Sequence, residues 1–281
     1  MKKSLSFLGI VAVTSLLLCS CDKPQVQFKT LTCNEVFKSE KVIEKFHPAE
    51  DAVHGIGFNL HFTYPVSGVD EALIPVMQNA LVESFFSGMY PGMEPEAAFD
   101  TFIQANRQDY LNEIDACIGD CDEMVGGLFS WKIYIVDTIC FQNDRLIQFQ
   151  TDGYGYTGGA HGTTWYTGVL FDLEQGRMLT SDDVFVSDAE PLKDLLIEEY
   201  LKTNEELRNS DDASNIAGIR NNTWNGQTHF AITDDGIYFM YDSYALGYYA
   251  LGSPKLFLSY DRLKGLIRED SPVYDIANAV K

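Results

Sequence analysis

The sequence predicts an α+β protein, with antiparallel sheet covered by a few helices. Three observations lead there. Residues 54–64 alternate, with Ile56, Phe58, Leu60 and Phe62 on one side and Gly57, Asn59, His61 and Thr63 on the other, the period of a half-buried strand. Two apolar stripes at helical spacing follow it. The second half is then dominated by short strand-like runs between turn residues.

In chain order, Pro65 and Gly68 end the first strand, and both residue types interrupt regular structure. Leu73, Ile74, Met77, Leu81 and Phe85 predict a helix that Gly88 stops. Phe99, Phe102, Ile103, Asn106 and Tyr110 predict a second one between Glu94 and Ile114. Trp131–Phe141 and Arg145–Gln150 form a hairpin across Gln142-Asn143-Asp144, and Thr164–Leu173 is a further strand turned by Glu174-Gln175-Gly176. A helix over Ser187–Leu207 carries a capping-box pattern, Ser187 with Glu190. Residues 208–222 read as a loop. His229–Thr233 and Gly236–Tyr241 flank the turn Asp234-Asp235-Gly236. Lys255–Ser259 is the last strand and Asp261–Ile267 a short last helix.

The N-terminus reads as an export signal. Lys2 and Lys3 precede an uncharged apolar run from Ser4 to Leu18, too short for a comfortable transmembrane helix. Leu18-Cys19-Ser20-Cys21 then resembles a lipobox. The expectation is cleavage before Cys21 and lipidation on it, giving a protein tethered to a membrane in the cell envelope, on its periplasmic or surface side. An ordinary secretory signal or an uncleaved anchor is the alternative. The expected organisation is signal peptide 1–20, tether 21–45, an N-terminal α+β unit 46–128, a C-terminal α+β unit 129–270 and a tail 271–281. Removing 20 residues from 281 leaves 261, enough for a sizeable core.

The formal charge is −21. Such a surface repels nucleic acid and anionic headgroups and steers basic partners towards it. Lipidation of Cys21 leaves Cys33, Cys117, Cys121 and Cys140, which export places where disulfides persist. Three pairings are open, and inert thiols are the alternative. Cys117-x-x-x-Cys121 has no second half and no nearby His, so no metal site is expected.

The most informative stretch runs from Tyr154 to Gly162, with Tyr156, Gly158, Gly159, Ala160 and His161 inside it. Gly158 and Gly159 can take positive φ, and His161 is held at a fixed place. A catalytic His161 would act as a general base with a carboxylate among Asp152, Asp172 or Asp242, Asp172 being the candidate orienter. No nucleophile elbow accompanies it. The structural reading, a buried histidine bonded to backbone in a turn, is preferred.

Tyr156-Thr-Gly-Gly-Ala-His-Gly162, Phe171-Asp172 with the turn to Met178-Leu179-Thr180, and Asp183-Val184-Phe185 resemble the extracellular C-terminal domain of RsiV-type proteins, domain of unknown function 3298. Gly236–Phe239, Tyr244, Gly252, Asp261 and Leu263 are similar to its closing strands. Phe62–Gly68 and the following helix resemble its companion domain, domain of unknown function 4163, which also occurs in PdaC-type deacetylases. The resemblance implies a binding module in the cell envelope, since RsiV binds lysozyme. No deacetylase metal motif is seen, and the lipid anchor stands where RsiV has a transmembrane helix.

The expected function is therefore a non-enzymatic envelope lipoprotein that binds a basic protein such as a lysozyme, or peptidoglycan glycan, without a cofactor. Its candidate contact residues are Tyr154, Tyr156, Gly158, Gly159, His161, Tyr244 and Tyr248. The four tyrosines among them belong to a surplus of eight aromatics with Trp165, Tyr166, Tyr241 and Tyr249, and at least half of the eight should be buried. A hydrolase using His161 and a structural or assembly role are the other readings.

Overall fold

In a computed structural model the chain is described at residues 25–47, 54–120, 129–187, 190–203, 218–221, 223 and 228–279. The lipobox with Cys21, the residue Cys121 and most of the loop 208–222 lie outside them.

The strands β1 (Gln27–Phe37), β2 (Gly55–Ser67), β3 (Ser130–Gln142), β4 (Leu146–Tyr156), β5 (Thr163–Asp172) and β6 (Arg177–Leu179) form one six-stranded sheet in chain order. All neighbours are antiparallel except β2 and β3, which are parallel. A parallel neighbour needs a crossover, here the helices α2 (Leu73–Phe85) and α3 (Pro95–Cys117). Both lie on the inner sheet face. Phe58, Leu60 and Phe62 of β2, Ile133 and Ile135 of β3, and Phe149 of β4 meet Met77, Leu81 and Phe85 of α2 and Phe99, Phe102 and Tyr110 of α3 in one core. This core and sheet draw on both sides of residue 128, where two units were expected to meet.

Most expected elements are present, and the α+β class is observed. The hairpin β3–β4, the strand β5, helices α2 and α3, and the later strands β7 (Thr228–Ile232), β8 (Gly236–Tyr241) and β9 (Lys255–Ser259) fall where periodicity placed them. The last three make a second sheet, and after the short α4 (Ser181–Val184) the helix α5 (Glu190–Thr203) covers it through Leu192, Leu196 and Tyr200. Gln148, which is buried, joins the two sheets: its Nε2 donates to the Phe230 carbonyl at 2.8 Å, and its Oε1 accepts the Ile232 N–H at 2.7 Å. The side-chain amide acts as a strand partner for β7.

Five expectations are corrected. Residues 27–37 are strand β1 rather than tether, and α1 (Glu40–Phe46) follows within the same segment. Leu31 and Cys33 point inward, but Lys29 and Glu35, in step with them, reach across to Glu96 and Arg107 of α3. Those charges hide the alternation. Strand β2 continues through Pro65 to Ser67. Its pairing with β3 ends at His61, and the Thr63 N–H points to that vacated side, onto the Asp137 carboxylate at 2.8 Å. Pro65 has the same orientation, so its missing N–H breaks no ladder bond.

Residues 261–266 are turn rather than helix, with Gly265 at φ 77°, and Ile267 bridges to Phe185. The supposed tail holds α6 (Pro272–Ala279), whose Val273 is buried in the second core. Ser271 and Pro272 are the start signal: the Ser271 hydroxyl accepts the Val273 N–H at 3.3 Å, and proline suits a first helical turn. Finally, Cys33 and Cys140 form no disulfide. Among the described residues, no helix is long and apolar enough to cross a membrane.

Candidate functional site

The Gly158-Gly159 turn joins β4 to β5. Both glycines take positive φ, 100° and 88°, as their lack of a side chain permits. Tyr156 steadies the turn by donating its hydroxyl proton to the Gly159 carbonyl at 3.0 Å. Gly162 closes it from the other side. A Cβ there would lie 2.5 Å from the Tyr154 ring and 2.6 Å from the Gly155 carbonyl oxygen, so only glycine fits.

His161 is exposed on this turn and is not the buried histidine expected. Its Nδ1 lies 3.2 Å from the Gly162 carbonyl, and its Nε2 lies 2.8 Å from the Tyr244 hydroxyl. A carbonyl only accepts, so Nδ1 carries the proton. In the neutral ring Nε2 then accepts from Tyr244. The Tyr249 ring stacks on His161 with centroids 3.6 Å apart and planes at 7°. Tyr244 is 49% exposed and Tyr248 56%.

These tyrosines sit on the loop after β8, which β5 holds in place. The Ser243 N–H donates to the Thr164 carbonyl, and the Thr164 N–H donates to Ser243 Oγ, both at 2.9 Å. Asp242 Oδ1 accepts the Tyr166 N–H at 2.8 Å. This docking holds Tyr244 in left-handed backbone at φ 69°, a conformation a non-glycine residue keeps only when its surroundings impose it.

The carboxylates considered for catalysis are engaged elsewhere. Asp172 is fully buried. Its Oδ1 accepts the Glu174 and Gln175 N–H groups, and its Oδ2 accepts Arg145 at 3.0 Å. Asp172 thus organises the turn after β5 and does not orient His161. Asp152 pairs with Lys255 at 2.8 Å. Burial pushes the Asp242 carboxyl up to about 6 against the Tyr166 N–H. As a base His161 would need an open Nε2, and Tyr244 occupies that position.

Tyr154 belongs to a different surface. With Asn34 of β1, Asn59 of β2 and Tyr134 of β3 it forms one continuous row of register partners across four strands. The row crosses a groove of about 450 Å³ on the outer sheet face, with Val36, Gly57 and Lys132 beside it. Farther along that face the second sheet covers the strands. Tyr249 lies in the aromatic surplus but outside the expected contacts, and Asn34, Asn59, Lys132 and Tyr134 are outside them too. The outward phase of the alternating β3 run was the available signal for Lys132 and Tyr134. Of the eight surplus aromatics, only Tyr166 and Tyr241 are buried, fewer than expected. Trp165 packs partly buried against the first core, and the other five line loops and the open half of the sheet.

Residues 182–261 match the model of a family described as protein of unknown function, DUF3298. These residues are a DUF3298 domain. Its span holds α5, β7, β8, β9 and the loop with Tyr244, Tyr248 and Tyr249. His161 and the glycine turn lie before it, so the cluster is assembled across the edge of the DUF3298 domain. A crystal structure of a DUF3298 family member from Bacteroides fragilis aligns with a TM-score of 0.71 at 21% identity, covering 92% of this chain and 99% of that one. Another, from Pseudomonas aeruginosa PAO1, aligns with a TM-score of 0.53 at 19% identity, covering 88% and 96%. These likenesses are of fold. The peptidoglycan-N-acetylmuramic acid deacetylase PdaC of Bacillus subtilis is 32% identical over 118 residues, 41% of this chain. The match spans 25% of the length of PdaC.

Proposed function

We propose that this chain is a non-catalytic binding module of the cell envelope, lipid-anchored at Cys21, that takes a basic protein of the lysozyme kind on the surface built by His161, Tyr244, Tyr248 and Tyr249. The observation that carries the reading is the ordering of that cluster at the surface. Its rings are stacked, hydrogen-bonded and held by a strained backbone, yet they stay in contact with solvent. Ordered tyrosines contribute contact area at small entropic cost and are frequent binding hot spots. The net charge of −21 favours a cationic partner. The likeness to PdaC, whose name places its action on peptidoglycan, supports an envelope setting.

The tether fits this use. Strand β1 leaves the N-terminal side at Gln27, opposite Ser67, and runs towards the end of the sheet where Lys132 faces Tyr156. An anchor on Cys21 would therefore put the glycine turn and its cluster at the far end of the sheet from the membrane.

The test is calorimetric titration of the soluble mature chain, carrying Cys21→Ser, with lysozyme at low salt. A saturable complex is expected, weakened at least about tenfold by the double variant His161→Ala/Tyr249→Ala and further weakened by added salt. Absence of heat and of a complex at high micromolar concentration would refute the reading.

A further inference from the structure

We infer that the groove across β1–β4 is a carbohydrate site for a strand of N-acetylated amino sugars, lying on Tyr134 and Tyr154, read by Asn34 and Asn59, with Lys132 placed for a sugar carboxylate. The inference rests on the envelope-binding reading for where such a glycan is met, and on the groove alone for its chemistry.

The row Asn34–Asn59–Tyr134–Tyr154 places two amides and two phenol rings side by side on adjacent strands. None of these four side chains, nor Lys132, makes a side-chain hydrogen bond or ion pair among the described residues. Polar groups converging on a concave and otherwise apolar surface are the usual form of a small-ligand site. A sugar ring offers an apolar C–H face for a tyrosine and a rim of hydroxyls for amides. An acetamido group adds an amide that matches asparagine and a methyl that fits the floor beside Val36 and Gly57.

Charge separates this occupant from others. The lining holds one acid, Glu35, which is already bonded to Arg107, so a cationic peptide would meet Lys132 with no carboxylate to pair. A polyanion is repelled by the net charge of −21. An acyl chain would bury the amides and the amine without partners. A neutral or singly acidic glycan satisfies all five side chains.

Gly57 supplies a way to test this. A Cβ built on it meets nothing closer than the Trp131 carbonyl oxygen at 3.7 Å, so Gly57→Leu fills the groove without straining the strand. The soluble mature chain is titrated with chitohexaose, with maltohexaose, and with the N-acetylglucosaminyl-N-acetylmuramic acid disaccharide. Chitohexaose is expected to bind with a Kd of ~1 mM or tighter, and maltohexaose at least about tenfold more weakly. Tyr134→Ala and Gly57→Leu should each lower chitohexaose affinity by about tenfold or more without lowering the melting temperature. Lys132→Ala should weaken only the muramic acid disaccharide, and Tyr238→Ala, exposed on the second sheet, should change nothing.

No binding of chitohexaose at several millimolar, or binding unchanged by Gly57→Leu, would overturn the site. Equal binding of maltohexaose would overturn the amino-sugar assignment. Lysozyme binding measured on the same preparation separates the two readings, since either ligand can fail while the other binds.

Discussion

Replacing Asp172 with alanine is expected to destabilise the protein by about 3 kcal/mol, because one carboxylate satisfies two backbone N–H groups and a guanidinium from a fully buried position. The size is set by what would be left behind. Arg145 is 32% exposed and recovers part of its hydration, which keeps the loss at the lower end of what breaking a buried ion pair costs. The Glu174 and Gln175 N–H groups lose the acceptor that shapes the turn into β6. Asp172→Asn should fall between wild type and alanine: its Oδ1 can still accept both N–H groups, but the charge facing Arg145 is gone. Urea unfolding measures both, and a loss below about 1 kcal/mol for the alanine variant would contradict this role. Burial alone would raise the Asp172 carboxyl, but the Arg145 guanidinium and the Gln175 N–H outweigh it and hold it below the usual carboxylate range. The stability it contributes is therefore present above the unfolded-state value and is lost as pH falls through the folded one. The Asp172→Ala deficit should shrink in acid.

Asp137 should produce the opposite slope. Its carboxyl sits at the point where β2 parts from β3, and burial pushes it up to about 8 despite the N–H donated by Thr63. The folded state holds that proton more tightly than the unfolded chain does. Stability from this group is complete below the unfolded-state value, near 3.9, and falls as pH rises through about 8. Two other groups complicate the acidic end. His229 is lowered by burial to about 4, which makes stability rise with pH up to its unfolded value, and Asp242 titrates near 6. Above about pH 7.5 both have finished. Between there and about pH 8.5 the unfolding free energy should decline, and Asp137→Asn should flatten that decline while its Oδ1 still accepts the Thr63 N–H. A decline of the same size in the asparagine variant would assign the slope to another group.

The corrections share one cause. Strand β1 escaped detection because its inward-phase residues include Lys29 and Glu35, whose partners lie on α3 more than sixty residues away. Taken alone, Pro65 signals the end of a strand, and the sheet tolerates it only where β3 has departed. A helix is expected at 261–267, but Gly265 takes positive φ there and 261–266 are turn. The glycines and Ala160 around His161 imply close packing, and with it an interior place for the ring. The packing is real, but Gly162 fits against Tyr154 and leaves the imidazole outside.

Local chemistry in the sequence was sufficient for the α+β class, for the positions of α2, α3 and the β3–β4 hairpin, and for the positive φ of Gly158 and Gly159. Each depends on a period or a turn residue read over a few positions. The site itself depends on contacts between distant segments. His161 meets Tyr244 and Tyr249 only because Ser243 docks on Thr164, and Asn34, Asn59, Tyr134 and Tyr154 line up only because strand order and register bring four separate strands together. A one-residue slip in any of those pairings would turn the row to the opposite face, so the contact surfaces were decided by the tertiary structure.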